Sequence, residues 1–515
     1  MDRIIVLDFG SQTTQLIARR IRELGVFCEI HSGESIISKE LLINTKGIIL
    51  SGSPFSVYEK GAPVPHNSVF LTNLPLLGIC YGFQQMTVAY GGIVENLIKK
   101  EYGKAPVSIL KDSELLNGVP DGFISWMSHG DSLDALGEGF DLIAVSENHP
   151  AVAINKSLNL FGLQFHPEVS HCDFGMEILS NFIFRICKSD KSWNMNIFMN
   201  HISKEIKKKV AGNKVLLLIS GGVDSSVVAG MLLKILPPEN IYLMYIDTGL
   251  MRKDETLEIE IYLKSLGAQN IQVVNATSLF LNELEGVSDP EKKREIIGDL
   301  FIKVQESELS EDLKDNYFLA QGTLYTDLIE SGKGVGANAK VIKSHHNVRS
   351  PLVEAKRNAG LIIEPLDKLF KDEVRRLGIS LGIDKRIISR HPFPGPGLAV
   401  RIIGDITTEK VNILQEADAL FINELKIRDL YEEIWQAFCV LLPVKSVGVA
   451  GDAREYGYVL ALRAIVSVDG MTADVYPFNM SDLLEISSLI TNNIPEIGRV
   501  VYDISSKPPA TIEWE

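Results

Sequence analysis

Cysteine is scarce in this chain: five in 515 residues, at Cys28, Cys80, Cys172, Cys187 and Cys439, scattered and odd in number. No disulfide framework is implied, and the pattern suits a reducing, cytoplasmic setting. Cationic excess is missing as well, since 51 Lys and Arg face 66 Asp and Glu for a net charge of -15. Such a chain has no general attraction to nucleic acid or anionic membranes, so neither is expected as a partner. Long apolar runs are also absent; none is long enough to span a bilayer. The strand-like Ile4-Ile5-Val6-Leu7 stands so near the first residue that no signal peptide is expected. There are no internal repeats and no low-complexity tract. A hydrophobic content of 45% and a charged content of 23% are ordinary for globular proteins. The length suits about three domains.

What is present is more telling. Val215-Leu216-Leu217-Leu218-Ile219 reads as a buried parallel strand, and Val227, Val228, Met231, Leu232 and Ile235 follow at helical spacing. Between them lies Ser220-Gly221-Gly222-Val223-Asp224-Ser225-Ser226. A glycine pair at a helix N-terminus lets backbone N–H groups approach an anion, which the helix dipole favours. The serines add hydroxyl donors, and Asp224 can hold a metal ion that neutralises phosphate oxygens. No Gly-Lys-Ser/Thr ending is present, so this is not the common P-loop. The stretch resembles the SGGxDS loop of the ATP pyrophosphatases, which cleave ATP to pyrophosphate and an adenylylated substrate.

Leu76-Leu77-Gly78-Ile79-Cys80-Tyr81-Gly82-Phe83-Gln84 has the G-x-C-x-G form of a nucleophile elbow. Its turn exposes Cys80 at a helix N-terminus, where thiolate is favoured. A thiol nucleophile needs a base and an orienting group. Gln164-Phe165-His166-Pro167-Glu168 can supply both. Pro167 disfavours helix at His166, so the segment is expected to be extended, with His166 and Glu168 on one side.

These residues resemble the class I glutamine amidotransferases. The resemblance implies Cys80 as nucleophile, His166 as base and acid, and Glu168 as its orienter. Gln84 would help hold glutamine, and the Tyr81 N–H would be one oxyanion donor. The second donor falls in Leu50-Ser51-Gly52-Ser53-Pro54, at Ser53, where the family usually has glycine. A glutaminase joined to a pyrophosphatase-type ATP site implies an ATP-dependent amidotransferase.

The stretch from Val500 to Glu515 resembles the end of the GMP synthase (glutamine-hydrolysing) family. So do Asp8-Phe9-Gly10-Ser11-Gln12, Met127-Ser128-His129-Gly130-Asp131, Ala320-Gln321-Gly322-Thr323, Lys343-Ser344-His345-His346-Asn347 and His391-Pro392-Phe393-Pro394-Gly395-Pro396-Gly397. In that family xanthosine 5′-monophosphate (XMP) attacks Mg-ATP through O2, and ammonia then displaces AMP to give GMP. The resemblance carries substrate contacts to Arg294, Gln436, Arg463, Lys507, Ile512 and Glu513. Cations suit a nucleotide phosphate, and a carboxylate suits purine ring N–H groups. It also implies a homodimer, and magnesium as the ion accompanying ATP.

Two kinase-like Asp-Phe-Gly triplets, at Asp8 and Asp173, lack the companion motifs of kinases. Gly332-Lys333-Gly334-Val335-Gly336 reads as a flexible segment leading to Lys343-Ser344-His345-His346, a region that the resemblance implies is a mobile lid over the nucleotide. His345-His346 has no metal-ligating neighbours, and Lys207-Lys208-Lys209 reads as a solvated helix face. The expected organisation is an α/β amidotransferase domain over 1–187, with a largely parallel sheet. A polar linker around Lys188 to Trp193 leads to an α/β ATP pyrophosphatase domain over 195–390. An α+β module over 391–515 would dimerise and complete the XMP site. Two alternatives stay open: another pyrophosphatase-type amidotransferase such as an NAD synthetase, and a nucleotide sensor without turnover.

Overall fold

The computed structural model describes residues 1–147, 149–309, 313, 317–330, 351–450, 453–467 and 472–515. The Gly332–Gly336 and Lys343–Asn347 motifs lie outside the described residues. The chain groups into two compact units, one formed by Met1–His201 with a segment from Tyr325, the other beginning at Ile202–Leu324 and holding the C-terminal residues.

The first unit is built on a nine-stranded sheet. Strands β1 (Arg3–Asp8), β2 (Phe27–Ser32), β3 (Thr45–Leu50), β4 (Leu76–Ile79) and β9 (Leu160–Leu163) run parallel in the order β2-β1-β3-β4-β9. Their near-continuous apolar runs match burial on both faces. Helix α1 (Thr14–Glu23) buries Ile17, Ala18 and Ile21 at helical spacing against them. Four further strands are antiparallel: β5 (Ile93–Ile109), β6 (Phe123–Ala135), β7 (Asp141–Ser146) and β8 (His149–Asn155). Helix α2 (Tyr81–Ala89) follows β4 directly. The linker expected near Lys188 is not wholly polar surface. Trp193 is buried, its ring 4.8 Å from that of Phe27, with the Arg22 guanidinium 4.3 Å from both ring centres. An aromatic side chain in a polar stretch found a cation and a ring to cover it.

The second unit holds a parallel sheet in the order β12-β11-β10-β13-β14. Its strands are β10 (Lys214–Ile219), β11 (Ile241–Asp247), β12 (Asn270–Asn275), β13 (Tyr317–Ala320) and β14 (Ile362–Ile363). Strand order reverses at β10, the position where α/β sheets place ligands at their carboxyl ends. Helix α3 (Val223–Ile235) follows β10; α4 (Glu255–Ser265), α5 (Pro290–Ser307) and α6 (Lys371–Ser380) come later. Beyond the proline-rich connector, α7 (Thr408–Ile427) buries Ile413, Leu414, Ala417, Phe421 and Leu425. The second sheet of this unit pairs β15 (Gln436–Ala450) with β16 (Ala453–Val466), which also pairs β17 (Asp474–Val475) and β18 (Ile497–Tyr502). Helix α8 (Met480–Asn493) buries Ile486 and Ile490. One apolar core runs from Leu216 and Met244 through Leu414 to Leu460 and Ile486, tying the two sheets of this unit together. Among the described residues no helix is long and apolar enough to cross a membrane.

Candidate active sites

Strand β4 delivers the chain into a tight turn at Cys80, whose φ of 52° is left-handed for a residue with a side chain. The turn closes only because its neighbours lack side chains. A Cβ on Gly78 would stand 2.6 Å from the Phe83 nitrogen, and one on Gly82 would stand 2.4 Å from the Leu50 carbonyl oxygen. The Cys80 N–H donates to Leu163 O at 2.7 Å, locking the nucleophile to the end of β9. Beyond that strand end lies His166. The segment from Gln164 to Glu168 is not extended, as the Pro167 argument predicted, but bends and turns immediately after β9. The pairing comes from the turn itself: His166 Nδ1 donates to Glu168 Oε1 at 2.7 Å. Both side chains are buried, and the His166 N–H donates to Trp126 O at 3.0 Å.

The His166 imidazole is held well above its usual pKa. Burial opposes the charged form, but the Glu168 charge and hydrogen bonds to Cys80 and Glu168 outweigh it. A raised pKa makes His166 a stronger base toward the Cys80 thiol. It also ties stability to pH. The contribution is fully present below the unfolded value near 6.5 and is lost as pH rises through the folded value. Glu168→Gln removes the charge that offsets burial. The limb of the glutaminase pH profile that reports loss of the imidazolium should then move to lower pH, with kcat down about 100-fold. A profile unmoved in position would mean that Glu168 does not set the imidazole.

Around this pair the expected residues divide. The Tyr81 N–H is the first of α2 and has no intrahelical acceptor by position, as an oxyanion donor requires. Its side chain is structural, the hydroxyl donating to Pro63 O at 2.7 Å. Gly52 lies against the imidazole, with a built Cβ 3.1 Å from His166 Cε1. Ser53 is not among the residues with positive φ, and its hydroxyl donates to Phe9 O at 2.8 Å. Gln84 does not project freely toward a substrate; its Nε2 donates to Asp131 O at 2.9 Å. That bond fixes the Met127–Asp131 segment, which puts Ser128 O 3.9 Å from Cys80 Sγ. Gln164 was not singled out from sequence, yet its buried amide nitrogen also lies 3.9 Å from Sγ.

In the second unit, β10 ends at Ser220 and turns through Gly221, at φ 77°, and Gly222 into α3. A Cβ on Gly221 would stand 2.7 Å from Ile259 Cδ1 and 2.8 Å from Glu255 Oε1, so only glycine fits. Ser220 and Ser225 hydroxyls lie 3.2 Å apart, and Ser225 Oγ donates to Gly222 O at 3.2 Å. Val223 and Ser226 are buried under the loop. Asp224 faces the crevice between β10 and β13, where a Cβ on Gly322 would stand 3.3 Å from its own Cβ. Its two oxygens accept from Lys371 Nζ at 2.6 and 2.7 Å. One carboxylate beside a phosphate-type loop fits the usual magnesium site, in which substrate phosphates complete the shell. No group of three or more His, Cys, Asp or Glu able to hold a metal by itself occurs among the described residues.

The six nucleotide-contact residues inferred from resemblance all lie in this unit, in unequal settings. Gln436 and Glu513 come together, Gln436 Nε2 donating to Glu513 Oε1 at 2.7 Å. Ile512 packs on Phe438, Val440 and Ala461. Arg463 is fully buried and engages the C-terminal segment, donating to Ser505 O at 2.5 Å and Thr511 O at 3.1 Å, with Asp503 Oδ2 at 3.2 Å. Arg294 pairs with Glu291 at 2.5 Å on the surface of α5. Lys507 is half-buried beside Ala473, with which its backbone pairs. The adjacent Lys293 is fully buried and reaches Ala399 O, Ile402 O and Glu515 Oε2, at 3.1, 2.8 and 2.5 Å. It docks α5 against the C-terminal segment.

Known proteins resemble the chain from end to end. A GMP synthase (glutamine-hydrolyzing) of Aquifex aeolicus is 48% identical over 513 residues, covering 99% of both chains. That of Thermosipho africanus is 49% identical over 519 residues, covering 100% of both. The chain belongs to the GMP synthase family. Family models divide it consistently: glutamine amidotransferase class-I over 5–186, NAD synthase over 194–293 and GMP synthase C terminal domain over 423–514. The GMP synthase C terminal domain and the full-length relatives set this GMP synthase relative apart from NAD synthetases.

Lys371 and Arg401 of this GMP synthase family member also escaped sequence reasoning. Lys371 left a signal: it is the first residue of α6, where a cation opposes the helix dipole. A locally unfavourable choice of this kind marks functional positions. Arg401 left none, because a single arginine in Leu398-Ala399-Val400-Arg401 reads as surface until the fold buries it.

Proposed function

We infer that this chain makes GMP from XMP, with glutamine as nitrogen donor and ATP cleaved to AMP and pyrophosphate. The observation that carries the reading is one chain holding both a buried Cys80–His166–Glu168 relay and an SGGxDS loop at a sheet switch point. In the first unit Cys80 Sγ attacks the side-chain carbonyl carbon of glutamine while His166 takes the thiol proton. The oxyanion is met by backbone N–H groups of Tyr81 and the Gly52–Ser53 turn. His166 returns the proton to the leaving nitrogen, so the C–N bond breaks and ammonia departs. Water, deprotonated by His166, then cleaves the thioester to glutamate.

In the second unit the loop N–H groups and serine hydroxyls cradle the phosphates of ATP, with Lys371 close by. Asp224 would hold magnesium, which supplies neutralising charge on phosphate oxygens. XMP O2 attacks the α-phosphorus and pyrophosphate leaves; ammonia then displaces AMP at C2. Arg294, Gln436, Arg463, Lys507, Ile512 and Glu513 delimit the XMP site, some by contact and some by support. The functional divisions follow 1–187, 195–390 and 391–515. A homodimer is supported by Val444, Val447 and Tyr456, exposed apolar side chains on β15 and β16. The five cysteines, none of them in a disulfide, suit a reducing cytoplasm.

The test is product analysis with XMP, Mg-ATP and either glutamine or ammonium. GMP, AMP and pyrophosphate should form in equal amounts, with activity lost on chelation and restored by magnesium. ADP and phosphate as products, or no GMP from ammonium, would sink the reading.

A further inference from the structure

Arg401 is only 1% exposed in its side chain, yet its guanidinium bonds no backbone group among the described residues. Its Nε and Nη2 donate to Glu513 Oε2 and Oε1, at 3.1 and 2.9 Å. The guanidinium lies 4.2 Å from the Phe438 ring centre and 5.0 Å from that of Phe393. Its remaining nitrogen, Nη1, is buried with no hydrogen-bond partner among the described residues. An unpaired buried donor costs stability, and Arg463 Nε bears the same cost, so it is the choice of partners that separates the two arginines. Arg463 supplies the contrast. Equally buried, it gathers backbone carbonyls of residues 503, 505 and 511, with Asp503 Oδ2 at 3.2 Å, and so anchors the segment. Arg401 holds one carboxylate.

A carboxylate offers about four acceptor positions. At Glu513 two are filled on Oε1, by Arg401 and Gln436, and one on Oε2, by Arg401. About one remains, on Oε2, and the side chain keeps 20% of its surface exposed. Bidentate pairing fixes the plane of the carboxylate as well as its charge.

We propose that Arg401, aided by Gln436, is a positioning residue that presents a single Glu513 acceptor to one ring N–H of the purine nucleotide. This rests on the reading of Glu513 as an XMP contact.

The test uses ammonium-driven GMP formation by the full-length protein, with KM for XMP, KM for ATP and kcat measured in R401K, R401M, E513Q and R401M/E513Q. Melting temperatures report folding. Arg401→Met should raise the KM for XMP about tenfold or more and leave that for ATP in place. Arg401→Lys, which keeps the charge but not the fork, should fall between. The double variant should be no worse than E513Q, because Arg401 has nothing left to position. If E513Q raises the KM for XMP and neither Arg401 variant does, the positioning role is wrong and the Glu513 contact stands. If E513Q leaves that KM unchanged, the contact itself is wrong. Full additivity in the double variant would also overturn the proposal, since Arg401 would then act by another route. Should R401M fail to fold, R401K and its combination with E513Q carry the same comparison.

Discussion

Cys80→Ala abolishes glutamine-driven GMP formation, with a loss of at least about 10⁴-fold in kcat, while ammonium-driven GMP formation continues. The size follows from the kind of group removed. Without Sγ no thioester forms, and His166 and the backbone donors have no nucleophile to serve. The separation of effects follows from where the groups lie. Cys80 sits in the unit containing Met1–His201, whereas the Ser220–Ser226 loop, Lys371 and Glu513 all sit in the other. Alanine retains the small side chain that the φ of 52° tolerates least badly, so the elbow should survive. Parallel assays with glutamine and ammonium decide the matter. Loss of both activities would show that Cys80 also supports the ATP-dependent half, and that the assignment of two separable chemistries is incomplete.

Lys371→Ala and Asp224→Asn each lower ATP-dependent formation of AMP and pyrophosphate by about 100-fold or more, with glutamine hydrolysis measured alongside. Lys371 is 43% exposed, so its pair with Asp224 contributes little to stability, on the order of 0–1 kcal/mol. Its place at the first position of α6 works against it by a similar amount, about 0.3–1 kcal/mol. These terms nearly cancel. The melting temperature of Lys371→Ala should therefore stay close to wild type while synthesis collapses, a combination that a structural lysine would not give. If Lys371→Ala melts earlier and keeps its AMP production, the residue is a staple for Asp224 and nothing more.

Much of this was legible in the residue order, for identifiable reasons. The elbow could be read because sterics leave few choices: backbone as close as Leu50 O to Gly82 excludes any side chain there. The phosphate loop was legible for the same reason at Gly221, with Glu255 and Ile259 behind it. The His166–Glu168 pair was expected for a reason that did not apply. Alternation along a strand predicted it, whereas a turn after Leu163 makes it. Spacing of two residues is compatible with either, so sequence could not choose. Gln84 was expected at the substrate and is engaged with Asp131 O, because its distance from β6 is a fact of tertiary packing. Arg401 and Lys293 were missed for a deeper reason. A lone cation is a surface charge by default, and only burial, which is a property of the whole fold, reverses that reading.

The same burial makes the second unit depend on its C-terminal segment. Lys293, Arg401 and Arg463 have essentially no solvent contact, and their counter-charges are Glu515, Glu513 and Asp503. A buried pair that loses one partner destabilises by about 3–5 kcal/mol, against a total stability of about 5–15 kcal/mol for a typical domain. A ribosome that stalls, or a protease that trims, before Asp503 leaves three cations stranded at once. Such a fragment keeps the phosphate loop in its sequence, and yet the core of its second unit holds unpaired charges. The last thirteen residues are thus a condition for a settled interior in the second unit, not an appendix to it.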